Sequence, residues 1–459
     1  MDKLKIIKPT ADQDKVNLLI EKADAIRKED PDGALNICKE AIIFAKSAGY
    51  DTGLAKLNLI AGVCCRMLSN FDKSLIHYFD ALKIYQSIND IKGQTRTLNS
   101  IANAYLSLSD FSKATEYFDE CIYLLESIGD LEFEATVLAN KALAQQQNGN
   151  LINSLKCNLQ SLSIYKSINK PIPHTLLNNI GIVYLEIGNY YVALKYFNSA
   201  LKIEEEIKSQ LDESFTLANI GRTYVYMDDC LNGVTYLSEA LIIIRRFGNR
   251  QAEAQIFSNL GKAYLKLRCF PEAISYFSKT LKYYREIGDK SSVSHTLAEL
   301  GELYYQLNDF SASKKYFTEG LKLAEEIEDD LNIVRNNTGL ASLYIKFKDM
   351  ESAEKYLEIA VQLAEKRNSY KELSKIFKLS SDGYMAAGNS EKSNFYLQKH
   401  YDYLKKLIQI EEENSIKAFT ASHNFKTPER LRFNHTEKSE YYESYINHKS
   451  SELLKQAMR

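Results

Sequence analysis

The sequence predicts an all-α protein, a solenoid of about ten stacked helix hairpins followed by a helical extension. Three observations carry this expectation. Tyrosine recurs at Tyr184, Tyr224, Tyr264, Tyr304, Tyr344 and Tyr384, every 40 residues without a slip. Other positions keep the same beat: Gly181, Gly221, Gly261 and Gly301, then Ala341 and Ser381, precede those tyrosines, while Tyr196, Tyr236, Tyr276, Tyr316, Tyr356 and Tyr396 follow them. Within one unit, apolar residues fall at helical spacing on both sides of a short break: Phe257, Leu260, Gly261 and Tyr264, then Ala273, Tyr276, Phe277, Thr280 and Leu281. A period between about 20 and 50 residues marks a repeat array, whose units bury their apolar flanks only against one another.

Residues 1–10 read as an N-terminal tail. The first hairpin pairs a helix near residues 15–28 with one opening at Asp30-Pro31, where Asp can cap and Pro suits the first helical position. The beat continues in weaker form through Ala61, Ala102 and Ala142 at the glycine position, and Ala114-x-x-Tyr117-Phe118 mirrors Ala193-x-x-Tyr196-Phe197. Pro171 and Pro173 forbid continuous helix and predict the weakest seam of the array. In each later repeat the small residue lets the partner helix approach, and the Tyr and Phe of the second helix are expected to fill the space between hairpins. Turns such as Ile128-Gly129-Asp130 and Ile287-Gly288-Asp289 close the units. The last hairpin pairs residues 371–387 with a long helix from about Glu391. Residues 11–413 therefore read as one solenoid and 414–459 as a helical or linker extension.

Aligned on Gly261, a unit reads Leu260-Gly261-x-x-Tyr264 and Ala273-x-x-x-Phe277-x-x-Thr280, which resembles the tetratricopeptide signature of Leu-Gly, Tyr, Ala, Phe and Ala. The 40-residue unit, with a longer second helix and a turn in place of the closing proline, resembles the repeats of kinesin light chain and of bacterial signalling proteins. This resemblance implies a right-handed superhelix whose first helices line an inner groove. In the family, the position two before the small residue often holds an Asn that bonds the backbone of an extended peptide.

Here that position reads Ser100, Asn140, Asn179, Asn219, Asn259 and Glu299. Asn is a mediocre helix former, so four mid-helix occurrences ask for a reason. Either the amides serve a ligand main chain, or each bonds the adjacent helix and registers the stack. One residue after the small position stand Asn103, Leu143, Ile182, Arg222, Lys262, Glu302 and Ser342; six before it stand Arg96, Thr136, Thr175, Phe215, Gln255, His295 and Arg335. The expected groove is apolar in its middle and basic around Arg222 and Lys262, where an acidic residue or carboxylate could dock.

Composition restricts the function classes. The formal net charge is -2 with acidic and basic residues interleaved, so nothing marks a nucleic-acid footprint. The start lacks a secretory apolar core and no run approaches the ~18 apolar residues of a membrane span, which predicts a cytoplasmic protein without membrane contact. The seven cysteines are scattered without a Cys-x-x-Cys pair, and Cys64 and Cys121 sit where small buried hydrophobes belong. The seven histidines are far apart, and neither G-x-S-x-G, a phosphate-binding Gly-rich loop nor H-E-x-x-H occurs. The sequence shows no catalytic centre, and no metal or cofactor is expected.

The tail contains Ser422-His423-Asn424-Phe425-Lys426-Thr427-Pro428, which resembles the phosphoacceptor box of sensor histidine kinases, with Asn424 where that box carries an acid and Glu429 where it is apolar. The 31 residues after Pro428 cannot hold an ATP-binding domain. The same stretch also reads as a surface linker ended by Pro428, and residues 437–458 as a connector helix of the kind that follows tetratricopeptide regions in bacterial kinases and cyclases. The expected function is a non-catalytic scaffold or regulatory adaptor that takes a peptide or helix of another protein in its groove. The alternative is the sensory or regulatory part of a bacterial signalling system without its own output domain, with His423 as its phosphoacceptor.

Overall fold

A computed structural model describes residues 11–367 and 369–424. All regular structure among the described residues is α-helical. The first hairpins pair α1 (Ala11–Ile26) with α2 (Pro31–Ser47), α3 (Asp51–Met67) with α4 (Phe71–Ser87), α5 (Ile91–Ser107) with α6 (Phe111–Ile128), and α7 (Leu131–Gln147) with α8 (Leu151–Ser167). Then come α9 (His174–Ile187) with α10 (Tyr190–Ile207), α11 (Gln210–Tyr226) with α12 (Cys230–Arg246), and α13 (Arg250–Lys266) with α14 (Phe270–Ile287). The remaining pairs are α15 (Lys290–Gln306) with α16 (Phe310–Glu326), α17 (Asp330–Lys346) with α18 (Met350–Lys366), and α19 (Tyr370–Ala386) with α20 (Ser390–Asn424).

The 40-residue period is two helical periods of 20: from α11 to α20 each helix starts 20 residues after the last, at Gln210, Cys230, Arg250 and onward. Both helices of most hairpins run 17 or 18 residues, so the extra length expected in the second helix is shared by the two. Asp and Asn punctuate the turns. Asp90 accepts from the Gly93 amide at 2.9 Å, Asp289 from Ser292 at 3.0 Å and Asp349 from Ser352 at 3.1 Å, each satisfying a donor that the helix start leaves open. In most turns the residue before the cap adopts the left-handed conformation. Gly288 does so at φ 73° without steric cost, whereas Lys348 holds φ 62° against a penalty of roughly 1–2 kcal/mol.

Close approach inside the hairpin explains the small-residue position. A Cβ on Gly261 would stand 2.7 Å from the Phe277 ring and one on Gly301 2.7 Å from Phe317. In the second hairpin the corresponding residue is Gly62, where a Cβ would come within 2.4 Å of Tyr78, rather than the expected Ala61. The tyrosines also differ from expectation. Tyr224 stacks on Tyr236 at 5.5 Å, Tyr264 on Tyr276 at 5.6 Å and Tyr304 on Tyr316 at 5.3 Å, so these rings close their own hairpins rather than fill the space between neighbours. Phe317 does both, meeting Gly301 of its own hairpin and Gly339 of the next.

Buried hydroxyls tie the two helices of a hairpin by a bond repeated along the array. Ser161 donates to the Ala135 carbonyl at 2.7 Å and Thr280 to Ala254 at 3.5 Å. Cys121 makes the equivalent contact to the Thr95 carbonyl at 3.1 Å, and burial pushes its thiol up to about 12. It is a packed core group that also donates.

The described helices fall into two compact units, one built on α1–α8 and the other on α10–α19, with α9 divided at Asn179 and Ile180, just past the Pro171–Pro173 segment. Helix α20 runs without a break across residues 413 and 414. The expected connector helix at 437–458 and most of the phosphoacceptor-like string lie outside the described residues. Among the described residues no helix is long and apolar enough to cross a membrane.

Candidate binding groove

In each unit, first helices of consecutive hairpins touch one another: α3 meets α5 and α5 meets α7, then α11 meets α13, α13 meets α15, α15 meets α17 and α17 meets α19. Second helices pack against the first helices on either side of them. This arrangement puts the first helices on the inner wall of each unit. In the second unit that wall is α11, α13, α15 and α17.

Four charged or titratable side chains from three successive helices of this wall converge. Lys262 on α13 places its Nζ 3.2 Å from His295 Nε2 and 3.4 Å from Glu299 Oε1, the latter two residues lying one turn apart on α15. Glu299 Oε1 also stands 3.5 Å from His295 Nε2. From α17, Arg335 reaches His295 Nδ1 at 2.6 Å and donates to Asn332 Oδ1 at 3.1 Å. These side chains remain accessible: Lys262 is 31% exposed, His295 26% and Glu299 22%.

Burial, reinforced by Lys262 and Arg335 and opposed by Glu299, pushes His295 down to about 4. Burial alone would raise Glu299, but Lys262, His295 and Arg335 outweigh it and hold the carboxyl below its ordinary range. At neutral pH the cluster therefore holds two cations, one carboxylate and a neutral imidazole. One hairpin earlier, Arg222 is half-buried and its Nε has no hydrogen-bond partner. Asn259 on α13 is half-buried, with no side-chain hydrogen bond among the described residues. Asn219 is half-buried on α11, and Glu302 accepts from Gln306.

The inner wall of the first unit is bonded differently. Asn140 donates to Asn99 Oδ1 at 3.1 Å, across 41 residues, and Asn103 donates to the Asn99 carbonyl at 2.7 Å. Ser100 turns its hydroxyl back to the Arg96 carbonyl at 2.9 Å. Asn58 Oδ1 accepts from His77 Nδ1 at 3.0 Å. Amides here are engaged by the fold itself. Asn179 is half-buried on α9.

Family models of the tetratricopeptide repeat match residues 133–206 and 252–326, and again 95–124 and 334–367. The chain is a tetratricopeptide-repeat protein. Its fold resembles the apo form of the quorum sensor NprR from B. thuringiensis, at 16% identity over 74% of this chain and 99% of that one, with a TM-score of 0.55. A Rap protein complexed with competence and sporulation factor resembles it at 15% identity over 86% of this chain and 99% of the other, with a TM-score of 0.51. Aspartyl phosphate phosphatase F from Bacillus subtilis does so at 16% identity over 78% and 95%, with a TM-score of 0.51. At these identities the likeness is one of fold. No curated protein sequence matches the chain.

Within this tetratricopeptide array the predicted groove residues sit on first helices, as their place in the repeat requires. The structure brings Lys262 and Glu299 together in a cluster that extends to the next hairpins, with Arg222 on α11, one hairpin before Lys262. His295 and Arg335 had been placed on the wall singly, without a contact. The signal that joins them is an offset: a residue just after the small position meets one 33 residues later, as Lys262 meets His295, and 40 more reach Arg335. His423 lies in the last turn of α20, and its side chain is outside the described ones.

Proposed function

We propose that the inner wall of the second unit binds a segment of another protein, extended or helical, and that the protein works as an interaction scaffold or regulatory adaptor rather than as an enzyme. One observation carries this reading: on the successive first helices α11 and α13, polar groups keep bonding capacity that the fold does not use, the half-buried Asn259 amide and the buried Arg222 Nε. An amide that donates and accepts suits a ligand main chain, and a polar group lacking a partner costs about 1–3 kcal/mol that a ligand can recover. A protein partner in the cytoplasm also fits the near-neutral charge of -2. The likeness to a quorum sensor and to a Rap protein holding competence and sporulation factor supports the regulatory form of the proposal.

The experiment is affinity purification with mass spectrometry, followed by hydrogen exchange of the protein with and without the recovered partner. Protection concentrated on α11, α13, α15 and α17 is the expected result. Protection confined to the second helices or to α20 would refute the groove reading.

A further inference from the structure

The hairpin of α3 and α4 departs from its neighbours at one pair of positions. In seven other hairpins a tyrosine six residues before the second helix begins stacks on one six residues after it, from Tyr105 on Tyr117 to Tyr384 on Tyr396, with ring centroids 5.3–5.7 Å apart. Here the two positions hold Cys65 and His77. A cavity of about 270 Å³ opens beside them, between Leu35 and Lys39 of α2, Leu68 at the end of α3 and Lys73 of α4.

The cavity is the place of the missing ring. Around Tyr264 the groups that act on the phenol are Tyr276, Glu272 and Cys269. Their register equivalents around Cys65 are His77, Lys73 and Asn70, and all three line the cavity. Lys73 carries the comparison further. Two residues into their own second helices, Lys113 lies over the Tyr105 ring at 5.2 Å and Lys392 over Tyr384 at 4.6 Å, the latter also donating to the hydroxyl at 3.1 Å. Lys73 holds the same place, close enough to Cys65 to counter, with Lys39, the burial that raises its thiol, but the position beneath it is a cysteine instead of a ring.

We infer that this cavity seats a phenol ring from outside the chain, stacked on His77 and covered by Lys73. The imidazole is a fixed, flat platform: its Nδ1 donates to Asn58 Oδ1 at 3.0 Å, and burial lowers its pKa against the opposing pull of Asp80, so it is neutral at pH 7. A ring entering here gains the dispersion contacts that an unfilled wall forfeits, and roughly 150 Å³ is room enough for benzene. The lysine brings a cation to the face of the ring and a donor to its hydroxyl. The seat belongs to the first unit and does not depend on the groove of the second.

The test titrates the full chain with p-cresol, the tyrosine side chain as a free molecule, by calorimetry at pH 7. Wild type should bind it saturably with a Kd on the order of 1 mM or tighter. The isosteric 4-methylcyclohexanol, which keeps the hydroxyl and lacks the aromatic face, should bind at least about fivefold more weakly. Cys65→Tyr returns the chain's own ring to the cavity and should raise the melting midpoint while abolishing p-cresol binding; Lys73→Met, at an exposed position, should fold normally and weaken binding about threefold or more. N-acetyltyrosine amide separates the sources of the ring: binding as tight as that of p-cresol assigns the seat to a partner's tyrosine, and failure to bind assigns it to a small free phenol. No saturation of wild type by about 10 mM p-cresol, equal binding of 4-methylcyclohexanol, or p-cresol binding unchanged in Lys73→Met or in folded Cys65→Tyr would overturn the inference.

Discussion

The two units use one helical frame and differ in what their inner walls do with polar side chains. In the first, Asn140, Asn99 and Asn103 close on one another across neighbouring first helices. In the second, Asn259 and Arg222 hold back bonding capacity, while charged side chains, Lys262, His295, Glu299 and Arg335, join three successive first helices. The same register position of a tetratricopeptide repeat can therefore fasten the stack or face a ligand. Which it does depends on whether the neighbouring repeat supplies a partner, as Asn99 does for Asn140.

The largest effect should come from what the units share. Gly261→Leu forces a side chain into the Phe277 ring, where even a Cβ would stand at 2.7 Å, and should cost about 1–3 kcal/mol or more. Gly62→Leu, against Tyr78, should cost a similar amount in the first unit. Thermal denaturation followed by circular dichroism measures both, and an unchanged midpoint for either would mean that the close approach is not general.

Acid sharpens the contrast. His295 is held at about 4 in the folded protein, below the ordinary 6.5, so the unfolded chain takes up the proton first and stability is lost as pH falls from 6.5 toward 4. Glu299, also lowered, acts with the same sign further down: its contribution, present above the ordinary carboxylate range, is lost as pH falls through its folded value. The His295 effect is on the order of 2–3 kcal/mol. Hydrogen-exchange protection, taken relative to the intrinsic rate at each pH, should fall in α13, α15 and α17 between pH 6.5 and 4, with His77, lowered by burial, adding a change of the same sign around α4. Helices α5 and α7 should not follow, and His295→Phe should remove most of this loss of protection in the second unit.

The smallest effect distinguishes the amides. Asn99→Ala removes the acceptor of Asn140 and should cost about 1 kcal/mol. Asn259→Ala breaks no internal bond and improves helix propensity, so its melting midpoint should hold or rise slightly. If both variants melted alike, the distinction between fastening and ligand-facing amides would fail.

Much of this was legible in the sequence because the array is built from local contacts. The beat of Tyr264 and Gly261, the cap at Asp30, the turn at Gly288-Asp289 and the hairpin count all follow from residues within one period. Gly62 was missed because Ala61 beside it is also small, and only the approach of Tyr78 separates them. The tyrosine stacks were misassigned because spacing puts Tyr264 and Tyr276 near one plane without saying which neighbour each ring meets. At the site, types and register positions could be read, but Lys262 meeting His295 and Asn99 meeting Asn140 span 33 and 41 residues. Those bonds depend on how far one repeat is turned against the next, a quantity absent from any single repeat.

The central claim is that the second wall, rather than the first, recognises the partner. Affinity purification with quantitative mass spectrometry should compare wild type, Asn140→Ala, and the double variant Arg222→Ala, Asn259→Ala. The expected result is normal folding of all three, retention of the partner by Asn140→Ala, and its loss by the double variant, where two bonds of roughly 0.5–1.5 kcal/mol each weaken a micromolar complex by about tenfold or more. Loss of the partner from Asn140→Ala with retention by the double variant would contradict the account.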